Sequence, residues 1–129
     1  MLVDTQTVFW SSYEPEKISK AASRAIRDAW EDGSGVCIAA TTLWEIAQVV
    51  SCGRVAIPHS LTAYLRHVEQ HFEVLPITGA IAERSVRFSE KYPKDPADRL
   101  IGATALVHGL RLVTSDQKIR RSGEVPCVW

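Results

Sequence analysis

Four acidic residues from distant parts of the chain, Asp4, Glu45, Asp98 and Asp116, are of the type that holds a hard divalent cation. Such ions take oxygen ligands and keep several waters, so a few carboxylates converging on one pocket suffice. Each acid also has an ordinary role. Asp4 and Asp116 follow short apolar runs, where aspartate is common turn chemistry. Glu45 points away from the Leu43/Ile46/Ala47/Val50 stripe, the position of a solvated glutamate. Asp98 would sit in the first turn of a helix, where the dipole favours an acid by about 0.3–1 kcal/mol. Asp98 nevertheless shares its face with Ile101, Gly102 and Ala105. A carboxylate aligned with an apolar stripe points inward and needs a partner.

Whether the four meet depends on the elements that carry them. Short apolar runs at Leu2–Val3, Val36–Ala40, Phe72–Ile77, Leu112–Thr114 and Val125–Val128 are bounded by Gly, Pro, Asp or Ser and read as strands. Helical stretches lie between them. The first is expected to start at Pro15 and stop at Gly33, with Ile18, Ala21, Ala22, Ala25, Ile26, Ala29 and Trp30 on its apolar face. A second runs from about Thr41 to Gly53, and a third aligns Leu61, Tyr64, Leu65, Val68 and Phe72. A fourth puts Ile81, Ser85, Phe88 and Tyr92 on one stripe, and a fifth starts at Pro96 behind an Asp95 cap and stops at Gly109. Apolar strands alternating with helices predict an α/β fold with a parallel sheet covered on both faces. Right-handed crossovers would then bring all four acids to the carboxyl edge of that sheet, where open α/β folds bind ligands.

Composition narrows the classes. At 129 residues the chain is expected to form a single domain spanning 1–129. Apolar residues at 46% and charged residues at 23% exclude a disordered or fibrous chain. No apolar run approaches the ~18 residues of a membrane span, so no membrane association is expected. Met1-Leu2-Val3-Asp4 has no basic region, so no secretory signal is expected, and Cys37, Cys52 and Cys127 form no C-x-x-C pair; a cytoplasmic location follows as the expectation. Fifteen basic and fifteen acidic residues cancel, but four acids gathered in one pocket would leave +4 on the rest of the molecule.

Competing chemistries lack their residues. A haloacid-dehalogenase-type phosphatase needs a second Asp two positions after Asp4, where Gln6 stands. His67 and His71 have i, i+4 spacing but no H-E-x-x-H and no third ligand, and read as solvated helix-edge histidines. Neither a nucleophile elbow nor a glycine-rich phosphate loop is present.

The blocks Leu2-Val3-Asp4-Thr5, Leu43-Trp44-Glu45-Ile46, Asp95-Pro96-Ala97-Asp98-Arg99-Leu100-Ile101 and Val113-Thr114-Ser115-Asp116 resemble the signature blocks of PIN domains. The sequence is most similar to the VapC-type ribonuclease toxins of bacterial type II toxin–antitoxin pairs. The resemblance covers essentially the whole chain, including Gly53-Arg54 and Phe72–Thr78, with Gln6 and Ala97 as departures. It implies a three-layer α/β/α domain with strand order 3-2-1-4-5. It further implies a Mg2+ or Mn2+ site made of Asp4, Glu45, Asp98 and Asp116, with Thr5, Thr114 and Ser115 holding those carboxylates from behind. Asp95 is an outer-ligand candidate whose capping role weighs more.

The activity implied is hydrolysis of RNA phosphodiesters by in-line attack of water, leaving a 5′-phosphate and a 3′-hydroxyl. The metal lowers the pKa of water and neutralises the phosphate. Arg54, Arg99, Lys118, Arg120 and Arg121 are candidates for steering RNA to an otherwise acidic pocket. Trp10 and Trp44 are candidates for stacking on unpaired bases, with packing the commoner role for each. A cognate antitoxin and a homodimer are the implied protein partners. The fifth helix, apolar on more than one side at Leu100, Ile101, Ala103, Ala105, Leu106 and Val107, suits burial against a partner chain. The alternative reading is a PIN-like protein-interaction module without catalytic activity, its acids idle.

Overall fold

The computed structural model describes all 129 residues, Met1–Trp129. Strands β1 (Leu2–Val3), β2 (Cys37–Ala39), β3 (Glu73–Leu75), β4 (Leu112–Val113) and β5 (Cys127–Val128) form one sheet in the order β3-β2-β1-β4-β5. Every pairing is parallel, with Leu2 opposite both Cys37 and Leu112 and Val3 opposite Val113. β1 has the bounds of the apolar run that predicts it, and the other four strands are shorter than theirs.

Alternation along these strands divides the interior. Leu2, Cys37, Ala39, Leu75 and Leu112 face one core with Ile81, Phe88, Tyr92 and Ile101. Val3, Ile38 and Val113 face the other with Val8, Ala22, Ile46, Tyr64 and Val68. Helices α1 (Thr5–Tyr13), α2 (Lys20–Glu31), α3 (Ala40–Ser51) and α4 (Leu61–His71) supply the second core. Helices α5 (Gly79–Ser85), α6 (Pro96–Val107) and α7 (Gln117–Ser122) supply the first, completing a three-layer α/β/α architecture. No helix is long and apolar enough to cross a membrane.

Several boundaries differ from the sequence reading. Pro15–Lys17 form only a 3-10 turn, Ile18 is extended, and α2 starts at Lys20 because the Ser19 side chain accepts from Ala22 N–H at 3.1 Å. The helix expected to carry Ile81 through Tyr92 ends at Ser85. Phe88 and Tyr92 still reach the core, from the loop, as a stacked pair with ring centroids 3.8 Å apart. Tyr92 lies over Gly102 of α6, where an added Cβ would come within 2.8 Å of its Cζ, and its hydroxyl donates to the Asp98 carbonyl at 3.0 Å. Gly102 therefore admits the ring that the shortened helix leaves free.

Two helices, α1 and α7, have no counterpart in the sequence pattern. Both begin at site aspartates: Asp4 and Asp116 are their N-caps. The apolar girth of α6 is taken up inside the chain, where Ile101 and Ala103–Ala105 are buried among α5, α3 and the sheet. Only Val107 remains a substantially exposed large apolar residue on that helix, so its composition does not by itself require a partner.

Candidate metal centre

Asp4 leaves β1 at the carboxyl edge and is 9% exposed. Its Oδ1 accepts from Thr7 N–H at 2.7 Å, which opens α1. Burial pushes its carboxyl above the usual range; the Thr114 hydroxyl and the Thr7 backbone N–H pull it back, and the charge on Asp116 adds to the rise. Thr114, fully buried at the end of β4, also accepts from Asp116 N–H at 3.1 Å through its hydroxyl. Thr114 thus lies between the two acids that adjacent strands deliver, bonded to the Asp116 backbone and close enough to Asp4 to lower its pKa. Asp116 in turn caps α7, its Oδ1 accepting from Lys118 N–H at 2.6 Å and Ile119 N–H at 3.0 Å.

Glu45 enters from α3. Thr5 Oγ1 lies 2.5 Å from Glu45 Oε1 and 3.2 Å from Thr42 Oγ1. One hydroxyl proton serves only the nearer carboxylate, so Thr42 donates in the second contact. Glu45 is therefore held in the pocket and not released to solvent as its position off the apolar stripe suggested. Burial raises its carboxyl pKa, Thr5 opposes this, and the charges on Asp95 and Asp4 add to it.

Asp98 comes from the first turn of α6, behind Asp95, whose Oδ1 caps the helix at 2.9 Å from Ala97 N and 3.3 Å from Asp98 N. Its carboxyl is pushed up to about 7, first by burial and then by Asp95, Glu45, Asp116 and Asp4. No hydrogen bond opposes that rise. Asp95 thus acts as cap and as near charge at once.

Asp4, Glu45, Asp98 and Asp116 line a single pocket of about 360 Å³, together with Thr5 and Ser115. Phe9, Val49, Val55, Ile101 and Ile119 form its apolar walls and Gln6 lines it as well; Phe9 and Gln6 belong to α1, which sequence pattern does not reveal, and the other four read as ordinary core residues. The carboxylates share the pocket without closing into a ligand cluster. Caps hold one oxygen each of Asp4 and Asp116, Thr5 holds Glu45, and like charges repel. No basic side chain compensates them: the chain's two ion pairs, Lys17–Glu14 and Arg87–Glu83, lie elsewhere. Four hard oxygen donors whose ionised forms are crowded and partly desolvated fit a hard divalent cation such as Mg2+ or Mn2+.

The five cations expected to steer a substrate do not line the pocket. Arg54 is exposed beside Val55, and Lys118 is exposed in the first turn of α7, so both adjoin the rim. Arg99 donates through Nε to the Pro93 carbonyl at 3.0 Å, turned toward the loop before α6. Arg120 lies near enough to Cys127 of β5 to act on its thiol, and Arg121 is exposed. Trp10 packs against Trp129, with ring centroids 5.6 Å apart. Trp44, next to Glu45, is 59% exposed, which corrects the packing role expected for it.

Comparison with known proteins places this arrangement. Ribonuclease VapC22 of Mycobacterium tuberculosis is 37% identical over 120 residues, covering 93% of this chain and 89% of that protein. Among solved structures, the fold is similar to VapBC2 from Rickettsia felis bound to a DNA fragment from its promoter, with a TM-score of 0.73, 13% identity and coverage of 98% and 95% of the two chains. It is also similar to the DNA-bound VapBC from Salmonella typhimurium, with a TM-score of 0.70, 21% identity and coverage of 98% and 94%. The family model of the PIN domain matches residues 1–125, from the strand before Asp4 to Val125 just ahead of β5, and with all four carboxylates inside that span, the chain belongs to the PIN domain family.

Proposed function

We propose that this protein is a divalent-metal-dependent endoribonuclease, the toxin of a toxin–antitoxin pair. The observation that carries this reading is the shared pocket of Asp4, Glu45, Asp98 and Asp116 at the carboxyl edge of the sheet, with no basic side chain among its lining residues. The likeness to a relative named as a ribonuclease supports RNA as the substrate.

In this reading Asp4, Glu45, Asp98 and Asp116 hold Mg2+ or Mn2+. The ion, when bound, supplies charge neutralisation for a phosphodiester and a lowered pKa for water. Thr5 positions Glu45 by spending its hydroxyl on that carboxylate, and Thr114 fixes the Asp116 backbone and lowers the pKa of Asp4 beside it. Ser115 lines the same pocket between Thr114 and Asp116. Trp44 offers an open aromatic face beside Glu45. Arg54 and Lys118 are the steering cations nearest the rim, and Arg99, Arg120 and Arg121 contribute at longer range. A cognate antitoxin as protein partner follows by analogy with the VapBC complexes of similar fold. The reading includes a homodimer and a cytoplasmic site of action.

The test is cleavage of labelled single-stranded RNA by the purified protein, first in EDTA and then with Mg2+ or Mn2+. Cleavage is expected only with metal, to give 5′-phosphate and 3′-hydroxyl ends, and to fall at least about a hundredfold in Asp4→Asn and Asp98→Asn, the scale of losing a principal electrostatic group. Undiminished cleavage in both variants, or no cleavage of any RNA with metal present, overturns the proposal in favour of an interaction module.

A further inference from the structure

A second concave surface lies between α2 and the β4–β5 side of the sheet, a groove of about 800 Å³. Lys20, Arg24, Arg27 and Arg111 line it, and Asp28 is its one acid. All four cations are exposed and none forms an ion pair within the chain. None belongs to the set expected from the sequence to steer a substrate.

The arrangement is linear. Lys20, Arg24 and Arg27 follow one another at i, i+4 and i+7 along α2, covering about 10 Å of helix axis. Arg111, at the entry to β4, comes from a distant segment and faces the same space. Exposed cations with no ion-pair partner in the chain keep their hydration and remain free to engage an external anion. Guanidinium forks match phosphate oxygens well. A row suits a polymer of phosphates better than one small anion. No aromatic side chain lines the groove, so it has nothing on which to stack a base. An acidic peptide is the poorer fit, because β5, the adjacent edge strand, offers only Cys127–Val128 for pairing a peptide backbone.

The groove abuts β4 and β5, with Arg111 at the start of β4 and the acids beyond that strand's carboxyl end. Val128 lies in its wall, and the Val128 carbonyl accepts from Thr114 N–H at 3.3 Å. We propose that the groove lined by Lys20, Arg24, Arg27 and Arg111 binds the phosphate backbone of the RNA substrate, independently of sequence. The identity of the polymer rests on the ribonuclease reading; the binding measurement does not.

The experiment measures affinity of the full chain for a labelled single-stranded RNA in EDTA, as a function of salt. Arg24→Glu/Arg27→Glu is expected to weaken binding at least about tenfold and to flatten the log–log salt slope by about 1.4, or ~0.7 for each phosphate left without its cation. Lys20→Ala/Arg111→Ala, in which two different segments are altered, is expected to change affinity and slope in the same direction. Because all four side chains are exposed, both variants should keep the wild-type melting temperature. RNA affinity and salt slope unchanged in both double variants would overturn the groove assignment even if the wild type cleaves RNA with Mg2+. RNA binding abolished in the variants, with a wild type that cuts no RNA, would reject the ribonuclease reading and leave the groove assignment standing. Retained RNA binding with abolished binding of poly-glutamate would give the groove to an acidic protein and overturn the RNA assignment.

Discussion

Replacing Asp98 by asparagine should stabilise the metal-free protein. The carboxyl at this position is pushed from an ordinary 3.8 to about 7 by burial and by the charges on Asp95, Glu45, Asp116 and Asp4. Each pKa unit corresponds to about 1.4 kcal/mol, so ionising Asp98 in the folded chain costs at most about 4 kcal/mol. The open pocket admits water, and screening reduces this to about 1–2 kcal/mol. For a chain of this size that is a rise in melting temperature of about 4–8 °C. Asparagine keeps the shape of the aspartate side chain, and the hydrogen bonds of Asp98 involve its backbone, which the substitution leaves intact.

The sign follows from proton linkage. The folded pKa lies above the unfolded one, so between about pH 4 and pH 7 the folded chain holds a proton that the unfolded chain has lost. Wild-type stability therefore falls through that window as pH rises, while the asparagine variant is spared. The advantage of the variant should be smallest near pH 4, grow through the window and level off above pH 7. Thermal melts in EDTA across this range measure it directly. Added Mg2+ should then raise the wild type more than the variant, reversing the order. A variant that melts at or below the wild type at pH 8 in EDTA, or whose advantage does not change with pH, would refute the electrostatic account of the pocket.

Asp116→Ala should go the other way, because its Oδ1 holds two N–H groups at the start of α7. A loss of about 1 kcal/mol is expected from the missing cap, read as a lower denaturation midpoint. Opposite signs for two acids lining one pocket would separate capping from crowding. Gly102→Ala should cost about 1–3 kcal/mol, since the new methyl group overlaps the Tyr92 ring. The same urea titration checks it, and a neutral result would mean that the loop carrying Phe88 and Tyr92 yields at little cost.

Local rules carry much of this architecture. Short, nearly all-apolar strands separated by helices imply a parallel sheet, and a residue just after such a strand must stand at the carboxyl edge. Asp4 and Asp116 are placed there without coordinates, and both line the pocket. Asp95 is legible as a cap because Pro96 follows it, and the Asp98 face is legible from the spacing of Ile101, Gly102 and Ala105. The resemblance to PIN domains then supplies the strand order that the sheet adopts.

Other features are invisible to local pattern. The segment Thr5–Tyr13 has two threonines, a valine and aromatic residues that form helices weakly on their own. It becomes α1 because Asp4 caps it and because Thr7 and Val8 are buried. Periodicity carries α5 too far, since it reports which residues seek the core and not whether a helix or a loop brings them there. Sequence alone determined which residues are acidic, which are apolar, and where strands and caps interrupt the chain. Only tertiary structure decided that Thr5 holds Glu45, that Tyr92 fits over Gly102, and that Arg111 faces the cations of α2. Those are contacts between segments far apart in sequence, and their energies depend on burial and distance, which a linear pattern does not contain.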